Sequence, residues 1–204
     1  PMTAPNFCML LRKHIGNARI VGISQPRLER IINIQLEHLD ELGDIRQKTL
    51  IIEIMGKHSN IIFCDESGRI LDSIKHVSAQ MSSVREVLPG RDYFIPDTMH
   101  KLDPLSADPQ AFAEMLRSKP MPISKALYSG FTGISPVVAE EICTISSIDS
   151  SMTASDLSDD IMHHLYNQFK IYMDQVSVGH FQPVFYYDNG YPKDFSCVPL
   201  SHYS

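Results

Sequence analysis

Residues 30–37 alternate cleanly, with Ile32, Ile34 and Leu36 falling on one side and Asn33, Gln35 and Glu37 on the other. That period of two is the pattern of a half-buried β-strand. Strand-like runs recur at 18–24, 48–55, 60–64 and 69–75, separated by the turn signals Gln25-Pro26, Leu42-Gly43-Asp44, Gly56-Lys57-His58 and Asp65-Glu66-Ser67-Gly68. No gap between them holds a crossover helix, so the strands are predicted to form a largely antiparallel sheet. A short helix over 7–15 leads in. Arg12, Lys13 and His14 fall in its last turn and Gly16 stops it, which suits the partial negative charge of a helix C-terminus. Past residue 80 the pattern changes. A proline-marked, extended connection runs over 88–104, and helices are predicted at 108–117, 123–129, 136–145 and 158–177. In the last of these, Ile161, Leu165, Phe169, Tyr172 and Met173 recur close to a 3.6-residue period. A short strand over 183–187 and an Asp188-Asn189-Gly190 turn follow. Strands followed by helices, rather than alternating with them, make the fold class α+β. The expected organisation is a β-rich part over 1–100, a helical part over 101–178, and a segment over 179–204 that returns to the sheet.

Composition adds bounds to this picture. The 204 residues are 43% hydrophobic and 21% charged, a globular balance with material for a real core. No apolar run is long enough to span a bilayer, so no membrane partner is expected. The opening Pro1-Met2-Thr3-Ala4-Pro5-Asn6 reads as the middle of a linker and carries no secretory signal, so the chain is expected to be a fragment. Cys8, Cys64, Cys143 and Cys197 form no CxxC and no zinc pattern. A core of this size needs no disulfide staples, so reduced, mostly buried thiols and a cytoplasmic location are expected. The net charge of −6 is unevenly spread. Residues 1–125 hold 16 Lys+Arg against 15 Asp+Glu, whereas residues 126–204 hold 2 against 9. A polyanion is therefore expected to meet the first segment, through a local patch.

The chain shows no Ser/His/Asp or Cys/His motif, no P-loop and no GxGxxG, so no catalytic residue, cofactor or metal is assigned. His163 and His164 are adjacent, about 100° apart on a helix, and poorly placed to share a metal. Residues 129–141 carry more information. Gly130 or Gly133 can end one helix in a left-handed conformation. Ser135 can cap the next, with Pro136 at its first position and Ala139 allowing close packing. This is the layout of a helix–hairpin–helix, whose free amides at Ser135 could meet a phosphate. An ordinary helical corner has the same spacing, and Glu140 and Glu141 are expected to repel a phosphate there. Gly56 permits a tight turn that presents Lys57 and His58 at its tip. Such residues can hold a phosphate or simply decorate a hairpin. Arg27, Glu29 and Arg30 flank Pro26 just before a strand, and the alternation of 29 and 30 keeps both charges out of one core. They read either as a solvated strand end or as a contact site.

Four stretches together resemble one family: Phe7-Cys8-Met9-Leu10-Leu11-Arg12-Lys13-His14-Ile15, Glu53-Ile54-Met55-Gly56-Lys57-His58-Ser59-Asn60-Ile61-Ile62, Val87-Leu88-Pro89-Gly90-Arg91-Asp92-Tyr93 and Phe131-Thr132-Gly133-Ile134-Ser135-Pro136. They resemble the NFACT-N domain of the bacterial FbpA/RqcH proteins and of eukaryotic NEMF, over essentially the whole chain, starting after the family's opening segment. The resemblance implies a fold similar to the Fpg-type glycosylase scaffold, with its helical H2TH-like region and without its catalytic residues. It implies binding to tRNA and to the 50S ribosomal subunit with stalled peptidyl-tRNA, in a ribosome quality-control factor that recruits alanyl-tRNA to tail nascent chains. The family's Asp-Arg pair, needed for tRNA engagement, falls on Glu29-Arg30, where the acid is one methylene longer. The candidate nucleic-acid contacts are thus Arg30, Glu29, Arg27, Lys57 and His58. The older family name implies a different partner, fibronectin, and an adhesin at the cell surface. A glycosylase-like enzyme using Pro1 as a secondary-amine nucleophile is a third reading.

Overall fold

A computed structural model describes residues 2–97 and 99–203, which divide into two compact units at Met99/His100. The first unit is built on a five-stranded antiparallel sheet: β1 (Arg19–Ser24), β2 (Ile31–Leu39), β3 (Ile45–Glu53), β4 (Asn60–Asp65) and β5 (Ile70–Ser73), in that spatial order. Each neighbour pair is a sequence neighbour, so every connection is a turn. Two turns are organised by aspartates. The Asp40 carboxylate accepts the backbone N–H groups of Leu42 and Asp44, with Gly43 at φ 83°. Asp65 does the same for Ser67 and Arg69, with Gly68 at φ 81°. A side-chain acceptor and a residue tolerant of φ > 0 are what such turns require.

Cross-strand register fixes the two faces. Ile31, Ile51 and Ile62 share one face, where Cys64, Ile70 and Val87 complete a buried cluster. The irregular segment after β5 covers that face: Val77 pairs with Val87, and Val77, Tyr93 and Ile95 pack on the cluster. The opposite face buries Leu36 and Phe63. There the leading helix α1 (Asn6–Ile15) lies against β2 and β5, and the His14 ring meets the rings of His38 and Phe63. The alternation expected in β2 is present, but burial does not follow it: Leu36 is buried and Ile34 half-buried on one side, and Asn33, Gln35 and Glu37 are half-buried on the other. Ile32 is exposed, whereas Ile31, on the polar-looking side with Asn33, is fully buried. A sheet covered on both faces blurs the polar–apolar rhythm that marks a one-sided sheet.

The second unit holds α2 (Pro109–Arg117), α3 (Ile123–Gly130), α4 (Pro136–Ile145) and α5 (Asp159–Ser177). Asp108, Ser135 and Ser158 cap α2, α4 and α5 by accepting the backbone N–H three residues on, and Pro109 and Pro136 take first-turn positions. Each such cap contributes about 1 kcal/mol. The core is aromatic: Phe112, Phe131, Phe169 and Tyr166 meet with ring centroids 4.7–5.7 Å apart. Gly130 ends α3 where a Cβ would lie 2.3 Å from the Met115 sulfur, so close packing explains the glycine. The chain then forms β6 (Val184–Asp188) and β7 (Tyr191–Ser196), which pair with each other as a separate two-stranded sheet. The expected return of 179–204 to the main sheet is not found among the described residues, where the Asp188-Asn189-Gly190 turn pairs β6 with β7 instead. Asn189 and Gly190 both take φ > 0.

The unit boundary also changes the charge balance. The β-rich unit holds 12 Lys+Arg and 12 Asp+Glu, while the helical unit holds 6 and 12. The first unit is therefore neutral as a whole, and any attraction for a polyanion must come from the arrangement of its charges. Of the cysteines, all free, Cys64 and Cys143 are buried, Cys8 is half-buried and Cys197 is exposed. Burial pushes the Cys64 and Cys143 thiols up to about 12, so neither is a ready nucleophile.

Candidate nucleic-acid interface

Antiparallel order brings the ends of β1, β3 and β5 and the starts of β2 and β4 to one end of the sheet. Three polar devices hold that end. Glu53, the last residue of β3, has a fully buried side chain on which Arg85 converges, donating from Nη2 to both carboxylate oxygens at 2.5 and 2.7 Å. The Tyr93 hydroxyl donates to the same carboxylate at 2.9 Å, and Arg85 also donates to the Phe94 carbonyl. A buried charge is tolerable only when paired and hydrogen-bonded in this way. Burial alone would lower the Arg85 pKa, but the Glu53 carboxylate beside it outweighs that and raises it. Next, the Ile54 N–H donates to the Arg30 carbonyl at 2.8 Å, fastening the start of β2 to the chain leaving β3. Finally, the side chain of buried Asn60 donates to the Lys75 carbonyl and accepts the Lys75 N–H.

On this frame sit the loops that carry the sequence candidates. Residues Gly56–His58 form a single 3-10 turn, with Gly56 at φ 57° as expected, closed by the Ser59 hydroxyl accepting the Met55 N–H. Lys57 and His58 are exposed at its tip. The β1–β2 connection is tied by Gln25, whose side chain donates to the Glu29 carbonyl, and by the Glu29 N–H donating to the Pro26 carbonyl. Within it Arg27 takes φ 50°, a left-handed conformation that costs a non-glycine residue about 1 kcal/mol or more. Arg27 and Arg30 are exposed and Glu29 is half-buried.

The pairing of the arginines is informative. Arg19, Arg46, Arg69, Arg85 and Arg91 all have acidic partners within 4.0 Å. Among the described residues, Arg27, Arg30, Lys57 and His58 take part in no ion pair and no side-chain hydrogen bond. The structure thus brings five candidates, Arg27, Glu29, Arg30, Lys57 and His58, to two loops at one end of one sheet. Sequence reasoning missed the groups beneath and beside them: Glu53, Arg85, Asn60 and Lys75. Glu53 and Arg85 are 32 residues apart, and only the strand register and the covering segment bring them together.

Ser135 lies in the other unit. It accepts the Val138 N–H at 3.2 Å, and Gly133 rather than Gly130 takes the left-handed conformation. The expected repulsion of a phosphate by Glu141 is corrected by its position. Glu141 is buried and accepts from the Ser201 hydroxyl and N–H and from His202. His164 is occupied too, with Nε2 2.9 Å from the Ser146 carbonyl.

Fold and site define an α+β chain in which four cationic side chains without an ion pair among the described residues, Arg27, Arg30, Lys57 and His58, lie on two loops at one end of an antiparallel sheet. The chain belongs to the NFACT family: the model of the NFACT N-terminal and middle domains matches residues 1–204. The Rqc2 homolog RqcH of Bacillus subtilis is 38% identical over 154 residues, 75% of this chain and 27% of that protein. The chain therefore spans about a quarter of the length of the curated relatives it matches. Among solved structures, the N-terminal part of the fibronectin/fibrinogen-binding protein from Streptococcus suis is similar, with a TM-score of 0.71 and 32% identity, covering 98% of this chain and 66% of that one. The fibrinogen binding protein from Staphylococcus aureus is similar too, with a TM-score of 0.74 and 31% identity, over 98% of this chain and 69% of that one. No helix among the described residues is long and apolar enough to cross a membrane.

Proposed function

We propose that this chain is the tRNA- and large-ribosomal-subunit-binding part of a cytoplasmic ribosome quality-control factor, acting by binding and not by catalysis. Family membership supports the setting. One observation carries the binding site: Arg27, Arg30, Lys57 and His58 lie together without ion pairs at one end of the sheet, while five of the six other arginines of the same unit, all but Arg12 on α1, have an acid within 4.0 Å. Unpaired cations on well-anchored loops are what a phosphodiester backbone recruits, since each contact releases a counterion. Arg30 is the leading candidate because its main chain is fixed by Ile54 while its side chain is left in solvent. Glu29 is half-buried beside it, and as a carboxylate, which accepts hydrogen bonds, it suits a nucleotide hydroxyl or amine and not a phosphate. The recruited tRNA is alanyl-tRNA by resemblance to the bacterial members.

Binding of tRNA by Arg30→Ala tests this. The expected result is an affinity severalfold lower and a shallower salt dependence, by about one unit of slope for one lost phosphate contact. Unchanged affinity and slope would remove Arg30 from the site.

A second reading, fibronectin binding, draws on the name of the Streptococcus suis structure. Protease shaving of intact cells separates the two readings: peptides of this protein released from the surface favour the adhesin, and their confinement to the lysate favours the RNA-binding role.

A further inference from the structure

Lys75 lies just beyond β5, and its relation to the Gly56–His58 turn is direct. Its Nζ donates to the Lys57 carbonyl at 3.1 Å. Its main chain is held from both sides: Asn60 Nδ2 and the Ser73 hydroxyl both donate to the Lys75 carbonyl, at 2.9 and 2.8 Å, and the Lys75 N–H donates to Asn60 Oδ1 at 3.0 Å. Asn60 and Ser73 are both buried. Two buried polar side chains are thus committed to fixing one exposed lysine. The neighbouring acid, Asp72, lies 2.6 Å from His76 and forms no ion pair with Lys75. The Lys75 ammonium has no carboxylate partner among the described residues, and it sits against the turn that presents Lys57 and His58.

We propose that Lys75, positioned by Asn60 and Ser73, is a further phosphate-contacting residue that forms one subsite with Lys57 for the backbone of structured RNA. The inference rests on the binding function proposed above and extends it across the sheet end, from the β1–β2 connection to the segment after β5. A carbonyl is a weak partner for an ammonium, so a phosphate oxygen displaces it readily. A phosphate oxygen adds to the hydrogen bond an attraction between opposite charges that the neutral carbonyl lacks.

The test is titration of tRNA at a series of salt concentrations with the wild-type chain and with Lys57→Gln, Lys75→Gln, Lys75→Arg and Lys48→Gln. Lys48 lies toward the other end of the same sheet, paired with Leu36 and Asp65 in the register, and serves as control. Lys57→Gln and Lys75→Gln are expected each to weaken binding severalfold at low salt and to reduce the salt slope by about one. Lys75→Arg should keep the slope, and Lys48→Gln should match wild type. If Lys57→Gln weakens binding while Lys75→Gln retains the wild-type affinity and slope, this inference is overturned and the broader function stands. If the wild-type chain binds no tRNA at any salt concentration, both fall.

Discussion

Arg85 is the residue whose loss the first unit should tolerate least. Its guanidinium neutralises the fully buried carboxylate of Glu53, and without it only the Tyr93 hydroxyl would remain. Removing one partner of a buried pair leaves an uncompensated charge, at a cost of about 3–5 kcal/mol. Arg85→Met, which keeps most of the apolar stem, should therefore lower the unfolding free energy by that amount, read as a lower denaturant midpoint with little change in the slope of the transition. A loss below about 1 kcal/mol would mean that Glu53 is solvated or simply takes up a proton. Residue by residue, the exposed candidates were the easier part to read. Lys57 and His58 follow a glycine in a turn, and Arg27 and Arg30 lie just before a strand. Their supports were not readable. Glu53 looks like one more polar position in a strand, and Arg85, Asn60 and Lys75 acquire meaning only once the register places them.

At the scale of elements, Glu141 shows how α4 is tied to the last turn, Ser201–Tyr203. Burial would raise its pKa, but hydrogen bonds from Ser201 and His202 more than offset that and hold it below the ordinary value of 4.5. The ionised form is thus favoured in the folded state. These bonds should be at full strength above about pH 4.5 and lost as the pH falls through the lower folded-state value. Amide exchange at Ser201 and His202 should lose protection over that acid range in wild type, and should be weakly protected and flat with pH in Glu141→Gln. Equal, pH-independent protection in both proteins would contradict the account. Most helix boundaries were legible to within a residue because Asp108, Ser135, Ser158 and the first-turn prolines announce them. β3 was harder. Its first residues, Ile45-Arg46-Gln47, carry little apolar pattern, and Ile54 and Met55 continue that pattern after the strand has ended. Periodicity reports burial, and at those positions burial and strand pairing part company.

For the whole molecule, the division at Met99/His100 matters more than the gradient of charge along the chain. The excess of base over residues 1–125 crosses that division. The β-rich unit proper is neutral, and the helical unit carries twice as many acids as bases. The proposed binding of a polyanion would therefore rest on one organised end of one sheet and not on the net charge of either unit. Three of the four stretches that carry the family resemblance hold structural necessities: 53–62 has the buried Glu53 and the left-handed Gly56, 87–93 has the left-handed Gly90 and the Tyr93 that bonds Glu53, and 131–136 has the left-handed Gly133 and the cap of α4. The hairpin of β6 and β7 escaped, since nothing in a short alternating segment says which strand it pairs with. The most direct test of the central claim is ultraviolet crosslinking of tRNA to the protein, with the crosslinked peptides mapped by mass spectrometry. Crosslinks concentrated at 25–30, 56–60 and 74–76 are the predicted result. Crosslinks confined to the helical unit, or spread evenly over the surface, would contradict it.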